Sequence, residues 1–379
     1  MRSRLVAILS MLSLCCFSSA VPSPQAPSVR STRADSSLVD VPLFDQEKEK
    51  TTRRCGLQAA QITYYSAERG LDITERSEQD GWQAMWWNVE NLFHPAVDSL
   101  HPDREFTPDG MRRWTYSRYR TKVAQIAQVV ANAGGWQGVD VVGLCEVEDS
   151  VCLADICRAL GNGYRAVHYD SPDPRGIDVA LLYRSTCTLL CSRPIPVRLS
   201  DGRHTRDLLY ARLVMPQRDT LDFLLCHMPS MRGGYGFAKH AHAEVRAVIQ
   251  QTIDSLLKAD STRQIILMGD MNDDPHEDLC GMRNLMCHMK PETSHIEGTY
   301  KYRGIWSYLD QCYLSERLQA RTTEVRVYAP DYLLEDDERY LGVKPKRTYM
   351  GMRYRGGYSD HLPIVLTANK EVRSPGRTK

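Results

Sequence analysis

No apolar run in this chain of 379 residues is long enough to span a bilayer comfortably, no Cys-x-x-Cys pair occurs, and neither sign of charge predominates. The longest apolar run, Leu5 to Phe17, falls short of a membrane helix and argues against a transmembrane anchor. Cys280, Cys287 and His288 lack a second matching half, so a structural zinc site has no support. With 48 basic and 47 acidic residues the formal net charge is +1. Such a chain does not hold a polyanion by its overall field, and a nucleic-acid partner would have to be gripped by a local basic face. Between Gln83 and Ala368 there is no internal repeat and no linker. That leaves about 285 residues to one α/β domain.

The amino end reads as an export signal. Arg2 and Arg4 form a basic head, Leu5 to Phe17 is mostly apolar, and Ser18, Ser19 and Ala20 supply a small-residue cleavage site at the end of residues 1–20. Cys15 and Cys16 raise a lipid anchor, but the bulky Leu14 and the paired thiols fit one poorly. The expected product is periplasmic or secreted. Residues 21–54, rich in Pro, Ser and charge, read as a flexible leader. Residues 55–82 form an extension without a clear partner, residues 83–368 the main domain, and residues 369–379 a basic tail. Loss of Arg2 and Arg4 with the signal turns 48 basic residues into 46 against 47 acidic ones, a net charge of −1. Export permits disulfides. Cys145 and Cys226, however, sit inside apolar strands and read as small buried thiols.

A repeated design organises the domain. Ile265 to Met268 runs straight into Gly269, Asp270 and Asn272, a core strand ending in a polar tip. Ala84 to Trp87 leads likewise into Asn88, Val139 to Cys145 into Glu146, and Leu221 to Cys226 into His227. Asp360 and His361 precede the strand Leu362 to Leu366. If these strands share a core, their polar ends gather at one mouth. Oxygen ligands for a hard divalent cation then lie beside imidazoles able to handle protons. Amphipathic spacing predicts helices over Arg118 to Asn132, stopped by Gly134-Gly135, and over Ala241 to Leu257. Further strands are predicted over Tyr164 to Tyr169, Ile177 to Tyr183, Leu208 to Val214 and Tyr308 to Leu314. Runs of strands with helices only at intervals suggest two sheets packed face to face with helices outside. The tyrosine-rich segment Tyr328 to Tyr358 is long for a structureless loop and is expected to be functional or to hold some structure of its own.

Read in order, Trp87-Asn88-Val89-Glu90-Asn91, Gly143-Leu144-Cys145-Glu146, Arg175-Gly176-Ile177-Asp178, His227, Gly269-Asp270-Met271-Asn272, Leu309-Asp310 and Ser359-Asp360-His361 carry a resemblance covering nearly all of residues 83–368. The chain resembles the endonuclease/exonuclease/phosphatase superfamily, metal-dependent phosphoesterases built like pancreatic-type deoxyribonuclease. The resemblance implies an α/β four-layered sandwich of two packed mixed β-sheets flanked by helices. It also implies that Glu146 is the principal ligand of Mg²⁺ or Mn²⁺, helped by Asn88 and Asp360. His361 becomes the base that takes a proton from water, with Asp310 orienting its imidazole. Asp270 and Asn272 would hold the water and a phosphoryl oxygen, while His227 and Asn88 donate to the phosphate. Arg175 follows a Pro-rich turn and either aims its guanidinium at phosphate or is a solvated loop residue. Asp178 either hydrogen-bonds within the site or caps its strand. Glu90 and Glu148 either ligate the ion directly or, as strand alternation favours, are surface charges.

Fold does not choose the substrate. Export argues against intracellular DNA repair, and no exposed apolar hairpin is evident, which argues against a membrane lipid. Tyr300-Lys301-Tyr302-Arg303 and Lys344 to Arg347 interleave basic and aromatic residues, as strand-tracking surfaces do. The expectation is a metal-dependent phosphodiesterase acting on nucleic acid. A lipid or sugar-phosphate phosphoesterase, and a catalytically silent binding module, are the alternatives.

Overall fold

The long central strands are buried on both faces, and in β7 and β8 successive side chains enter different cores, which divides the chain into layers. The computed structural model describes residues 81–368 apart from 97–103, 137, 232–234, 276–277, 280, 289–295 and 320–321. The export signal, the leader, the carboxy-terminal tail and nearly all of the 55–82 extension lie outside the described residues.

From the amino end, β1 (Trp82–Leu92) is followed by helix α1 (Tyr116–Ala133), β2 (Val141–Val147), helix α2 (Ser150–Ala159), β3 (Tyr164–His168) and β4 (Asp178–Arg184). Then come β5 (Thr188–Ile195), β6 (Leu208–Val214), β7 (Thr220–His227), helix α3 (Tyr235–Ala259) and β8 (Gln264–Asp270). Short strands follow: β9 (Asp278–Leu279), β10 (Met282–Asn284), β11 (Tyr300–Tyr302), β12 (Ile305–Ser307) and β13 (Asp310–Leu314). The chain ends through the one-turn helix α4 (Glu316–Gln319), β14 (Thr322–Val327), β15 (Leu334–Asp336), β16 (Val343–Pro345), β17 (Tyr349–Met350), β18 (Arg353–Tyr354) and β19 (Ile364–Ala368).

One sheet has the order β14-β19-β1-β2-β4-β3 and the other β5-β6-β7-β8-β13-β10-β9. Both are mixed: β1 and β2 run parallel, as do β7 and β8, while β19 and β13 return antiparallel beside β1 and β8. Period-two alternation puts Leu224, Cys226, Ile265 and Leu267 against Ala241, Val245, Ile249 and Ile253 of α3. Their neighbours Phe223, Leu225, Ile266 and Met268 point the other way, into the large core shared with β1, β2, α1 and α2. The result is the expected sandwich of two sheets between helices.

At the centre the sheets approach closely over Gly143. A Cβ there would lie 2.7 Å from the Trp86 ring and 3.1 Å from Leu225. Only glycine lets the indole of Trp86 lie flat between the layers. Helix α1 begins where the Thr115 side chain accepts from the Arg118 N–H and ends at Gly134, as its sequence predicts. Helix α2 is an element the sequence reading lacked. Its ten residues bury only Cys152, Leu153, Ile156 and Cys157, too short a stripe to stand out, although Asp149 caps it through the Cys152 N–H. The 328–358 segment does hold structure, in the hairpins β15–β16 and β17–β18. Cys145 and Cys226 are buried.

Candidate active site

Topology alone gathers the polar tips. The carboxyl ends of β1, β2, β7 and β8 and the amino ends of β13 and β19 meet at one end of the two sheets, because each parallel pair is bordered by an antiparallel return. His227 and Asp270 are the last residues of β7 and β8 and pair with each other, and Asp310 opens β13 opposite Asp270. Asn88 pairs with Cys145, placing Glu146 one residue beyond it. Here β2 bulges: Cys145 pairs with Val179 and Val147 with Asp178, leaving Glu146 out of the ladder with φ of 64°. A bulge of this kind re-aims one side chain at a sheet rim. Glu90, Asn91 and Asn272 also have positive φ, so four non-glycine residues in left-handed geometry cluster around one end of the sandwich.

His361 is held from every side. Its Nδ1 lies 2.7 Å from Asp310 Oδ2, and the other Asp310 oxygen accepts from the Trp86 indole N–H at 2.9 Å. Its backbone N–H donates to Ser359 Oγ, its carbonyl accepts from the Trp87 indole, and the Tyr300 ring lies 4.8 Å away. The remaining ring nitrogen, Nε2, faces Asp270 Oδ2 at 3.8 Å. The same Asp270 oxygen accepts from Asn88 Nδ2 at 3.0 Å and faces His227 Nε2 at 3.6 Å. The backbone N–H of Asn272 donates to Asp270 Oδ1, and its carboxamide donates to the Met228 carbonyl, tying the ends of β7 and β8 together. His227, His361, Asp270, Asp310 and Asn88 therefore form one buried group, with half-buried Asn272 at its edge.

The second half of the site surrounds Glu146. Its Oε2 accepts from the Asn91 N–H at 2.9 Å, and Oε1 lies 3.5 Å from Arg175, whose guanidinium donates to Asn91 Oδ1. Arg175 is 47% exposed, so it stands at the rim rather than within. Asp178 resolves its two readings in favour of internal bonding: Oδ1 accepts from the backbone and hydroxyl of Ser171 and so fixes the turn that carries Arg175. Asp360 pairs with Arg347.

Glu90 and Glu148 correct the expectation of surface charges, since both are buried. The kink at Glu90 and Asn91 turns the Glu90 carboxylate onto the N–H groups of Thr348 and Tyr349, and Glu148 accepts from the His94 N–H. Three further residues gave no sequence signal. Lys122, wholly buried on α1, donates to Thr348 Oγ1 and to the Tyr358 carbonyl. Buried Arg206 bonds the carbonyls of His227 and Met228 and the carboxylate of Asp173, joining the β7 end to the Arg175 turn. Trp86 fixes Asp310 and reads in the sequence only as a core aromatic.

Electrostatics separate the two imidazoles. Burial, then the charges of Arg206, Arg175 and His361, hold His227 well below the usual histidine range, keeping it neutral. Burial also opposes charging of His361, yet Asp310 and Asp270 outweigh it and raise that imidazole well above its ordinary value. Burial, with Asp310 close by, raises Asp270 to about 7 in spite of the opposing His361 charge. Glu90 is raised to about 7 by burial and by Asp360.

A hard divalent ion fits the donor set of Glu146, Asp360 and the Asn88 carboxamide, which is all oxygen. Asp270, Asp310 and His361 also bring ligand atoms within 4.8 Å of one another. Asp310 is engaged by the His361 ring and the Trp86 indole, which suits this trio to proton handling. Glu146, Asp360 and Asn88 Oδ1 also hold protein partners, the Asn91 N–H, Arg347 and the Glu90 N–H, which an ion there would share or displace. The remaining acidic groups serve local structure, Asp149 as the α2 cap and Asp178 at the Ser171 turn.

The family model for the Endonuclease/Exonuclease/phosphatase family matches residues 84–370. No curated protein matches the chain. Among solved structures, a Bacteroides thetaiotaomicron protein of that family is 16% identical, covering 78% of this chain and 99% of its own at a TM-score of 0.52. Truncated Caenorhabditis elegans TDP2 is 17% identical over 76% of this chain and 97% of its own, with a TM-score of 0.49. A Bacteroides thetaiotaomicron mannosyl-6-phosphatase is 16% identical over 75% and 98%, with a TM-score of 0.48. At 16% identity the likeness to the first of these, the one with a TM-score above 0.5, is one of fold alone. The model match, spanning most of the sequence and every residue of the site just described, makes this chain a member of the Endonuclease/Exonuclease/phosphatase family, whose enzymes hydrolyse phosphate esters with a divalent metal.

Proposed function

We propose that the protein is an exported phosphodiesterase that cleaves nucleic acid by in-line attack of water, with Mg²⁺ or Mn²⁺ as its cofactor. The observation that carries the reading is the buried contact of His361 with Asp310 on one side and Asp270 on the other. An imidazole fixed by a carboxylate at Nδ1 presents Nε2 as the proton acceptor. Nε2 faces the Asp270 oxygen at 3.8 Å, so a water bridging the two from the open side would give up its proton to Nε2. Neutral His227 and Asn88 converge on the same oxygen from the opposite side and are placed to donate to a phosphoryl oxygen. His227 Nδ1 is buried without a hydrogen-bond partner among the described residues. Arg175 at the rim supplies a cation for the phosphate or its neighbour.

Glu146, Asp360 and the Asn88 carboxamide would hold the ion. Bound there it would offset the charge that grows on phosphate and leaving group. Export rests on the residue pattern of Met1 to Ala20. Among the described residues no helix is long and apolar enough to cross a membrane.

One observation favours a second reading. The sequence shows no apolar hairpin, but the mixed hairpin β11–β12 carries Tyr302 54% and Ile305 71% exposed on either side of its Arg303-Gly304 turn. Its first residue, Tyr300, packs on His361. Exposed aromatic and aliphatic side chains flanking a basic turn, near the proposed catalytic residues, suit a lipid phosphodiester. Plasmid DNA, RNA and sphingomyelin vesicles, each incubated with the protein and Mg²⁺, separate the readings. Cleavage of the polynucleotides is expected, and turnover confined to the vesicles would replace the nuclease with a lipid hydrolase.

A further inference from the structure

Arg347 is a cation at the site that the proposed hydrolysis leaves without a task. Its guanidinium donates to Asp360 Oδ2, the carboxylate next to His361, while its Nε is buried and donates to no acceptor among the described residues. The side chain is 28% exposed and that of Asp360 is 19% exposed, so the pair sits at the mouth and not beneath it. The backbone behind it is anchored. Thr348 and Tyr349 donate their N–H groups to Glu90 at 2.6 and 3.2 Å, and Lys122 reaches Thr348 Oγ1 at 2.5 Å. The Arg347 head can therefore move while its Cα stays in place. Glu90 and Tyr300 are its other electrostatic neighbours, and Tyr300 lies against His361.

One carboxylate oxygen does not serve a guanidinium and a divalent ion equally well. A divalent charge on Asp360 would stand next to a unit charge of the same sign, and the two repel at contact distance in a partly dry site. A guanidinium displaced from Asp360 finds its best new partner in a phosphate, whose oxygens its planar donor fork matches.

We propose that Arg347 is a phosphate-binding residue gated by the metal. Without the ion it neutralises Asp360; once Asp360 engages the ion, the guanidinium turns to the phosphoryl oxygens of the substrate. This rests on the reading of Asp360 as a metal ligand.

Calorimetry on the full-length protein tests it in two titrations, Mn²⁺ into the ion-free protein and inorganic phosphate into the Mg²⁺-saturated protein, for wild type and Arg347→Gln. The variant is expected to bind Mn²⁺ about tenfold more tightly, because Asp360 no longer has to be released. It is expected to bind phosphate about 10- to 100-fold more weakly, from loss of a charge-assisted bond. Opposite signs are the signature, since damage to the site weakens both. Mn²⁺ affinity that is unchanged or reduced, or phosphate affinity that is unchanged, overturns the proposal. Wild type that still hydrolyses phosphodiesters in that case leaves the phosphodiesterase reading standing. Should Arg347→Gln not fold, the side-chain Nε–H resonance of Arg347 in wild type gives the answer. It is expected to shift on adding Mg²⁺ alone, and an unmoved resonance overturns the gating.

Discussion

At the scale of single residues, the account turns on two imidazoles held in opposite states. Asp310 raises the affinity of His361 for its proton, so the base is free only at higher pH, and kcat/KM should climb with pH above the ordinary histidine range. In Asp310→Asn the acidic limb should move to lower pH while the plateau falls about 10²- to 10⁴-fold. A pH–rate profile that keeps its limb would remove Asp310 from this role. His227 works in the other direction. The fold keeps it neutral and the unfolded chain protonates it near 6.5, so its contribution to stability is present above that pH and lost as pH falls. Its share approaches about 1.4 kcal/mol per pH unit. In urea titrations His227→Gln should flatten the decline in stability below pH 6.5; parallel curves for variant and wild type would contradict this. The sequence displayed His361, His227 and Asp270 because each ends or opens an apolar run, and Asp310 only through the family resemblance. It did not display Lys122, Arg206 or Glu90. Their partners, Thr348, Asp173 and the Tyr349 N–H, lie tens to hundreds of residues away, and nothing local distinguishes them from surface charges.

At the scale of elements, the catalytic geometry is carried by strand packing. Gly143 on β2 makes room for Trp86 on β1, Trp86 fixes Asp310 on β13, and Asp310 aims His361 before β19. Gly143→Ala should therefore cost about 1–3 kcal/mol of stability by overpacking and lower kcat/KM as well, although the residue lies outside the site. Urea denaturation combined with kinetics checks both. A destabilised variant with full activity would break the chain of contacts proposed here. The sequence predicted a strand ending at Asn88, whereas β1 continues to Leu92 through the kink at Glu90 and Asn91. Positive φ at a glutamate has no sequence signature, because glutamate gains nothing from it locally. Ladder bonds and the Thr348 and Tyr349 N–H groups hold it there. Helix α2 and the largely exposed edge strand β5 escaped notice for a related reason, since each buries too little apolar surface to show a period.

At the scale of the whole molecule, two mixed sheets between helices bring residues from Asn88 to His361 to one end, and the layer order followed from continuous apolar strands with helices placed at intervals. The substrate did not follow, because the chemistry at phosphorus is the same whatever the phosphate is attached to. Near-neutral charge leaves recognition to local surfaces such as the β11–β12 tip. What all members of the account share is hydrolysis at the His361 group with a divalent ion. Its most direct test is the rate of bis-p-nitrophenyl phosphate hydrolysis by wild type and His361→Ala, with Mg²⁺ and with chelator. The account predicts turnover by wild type with Mg²⁺ that chelator abolishes and that the variant lacks by about 10²-fold or more. A wild-type rate no higher than that of the variant, or one indifferent to chelator, would contradict it.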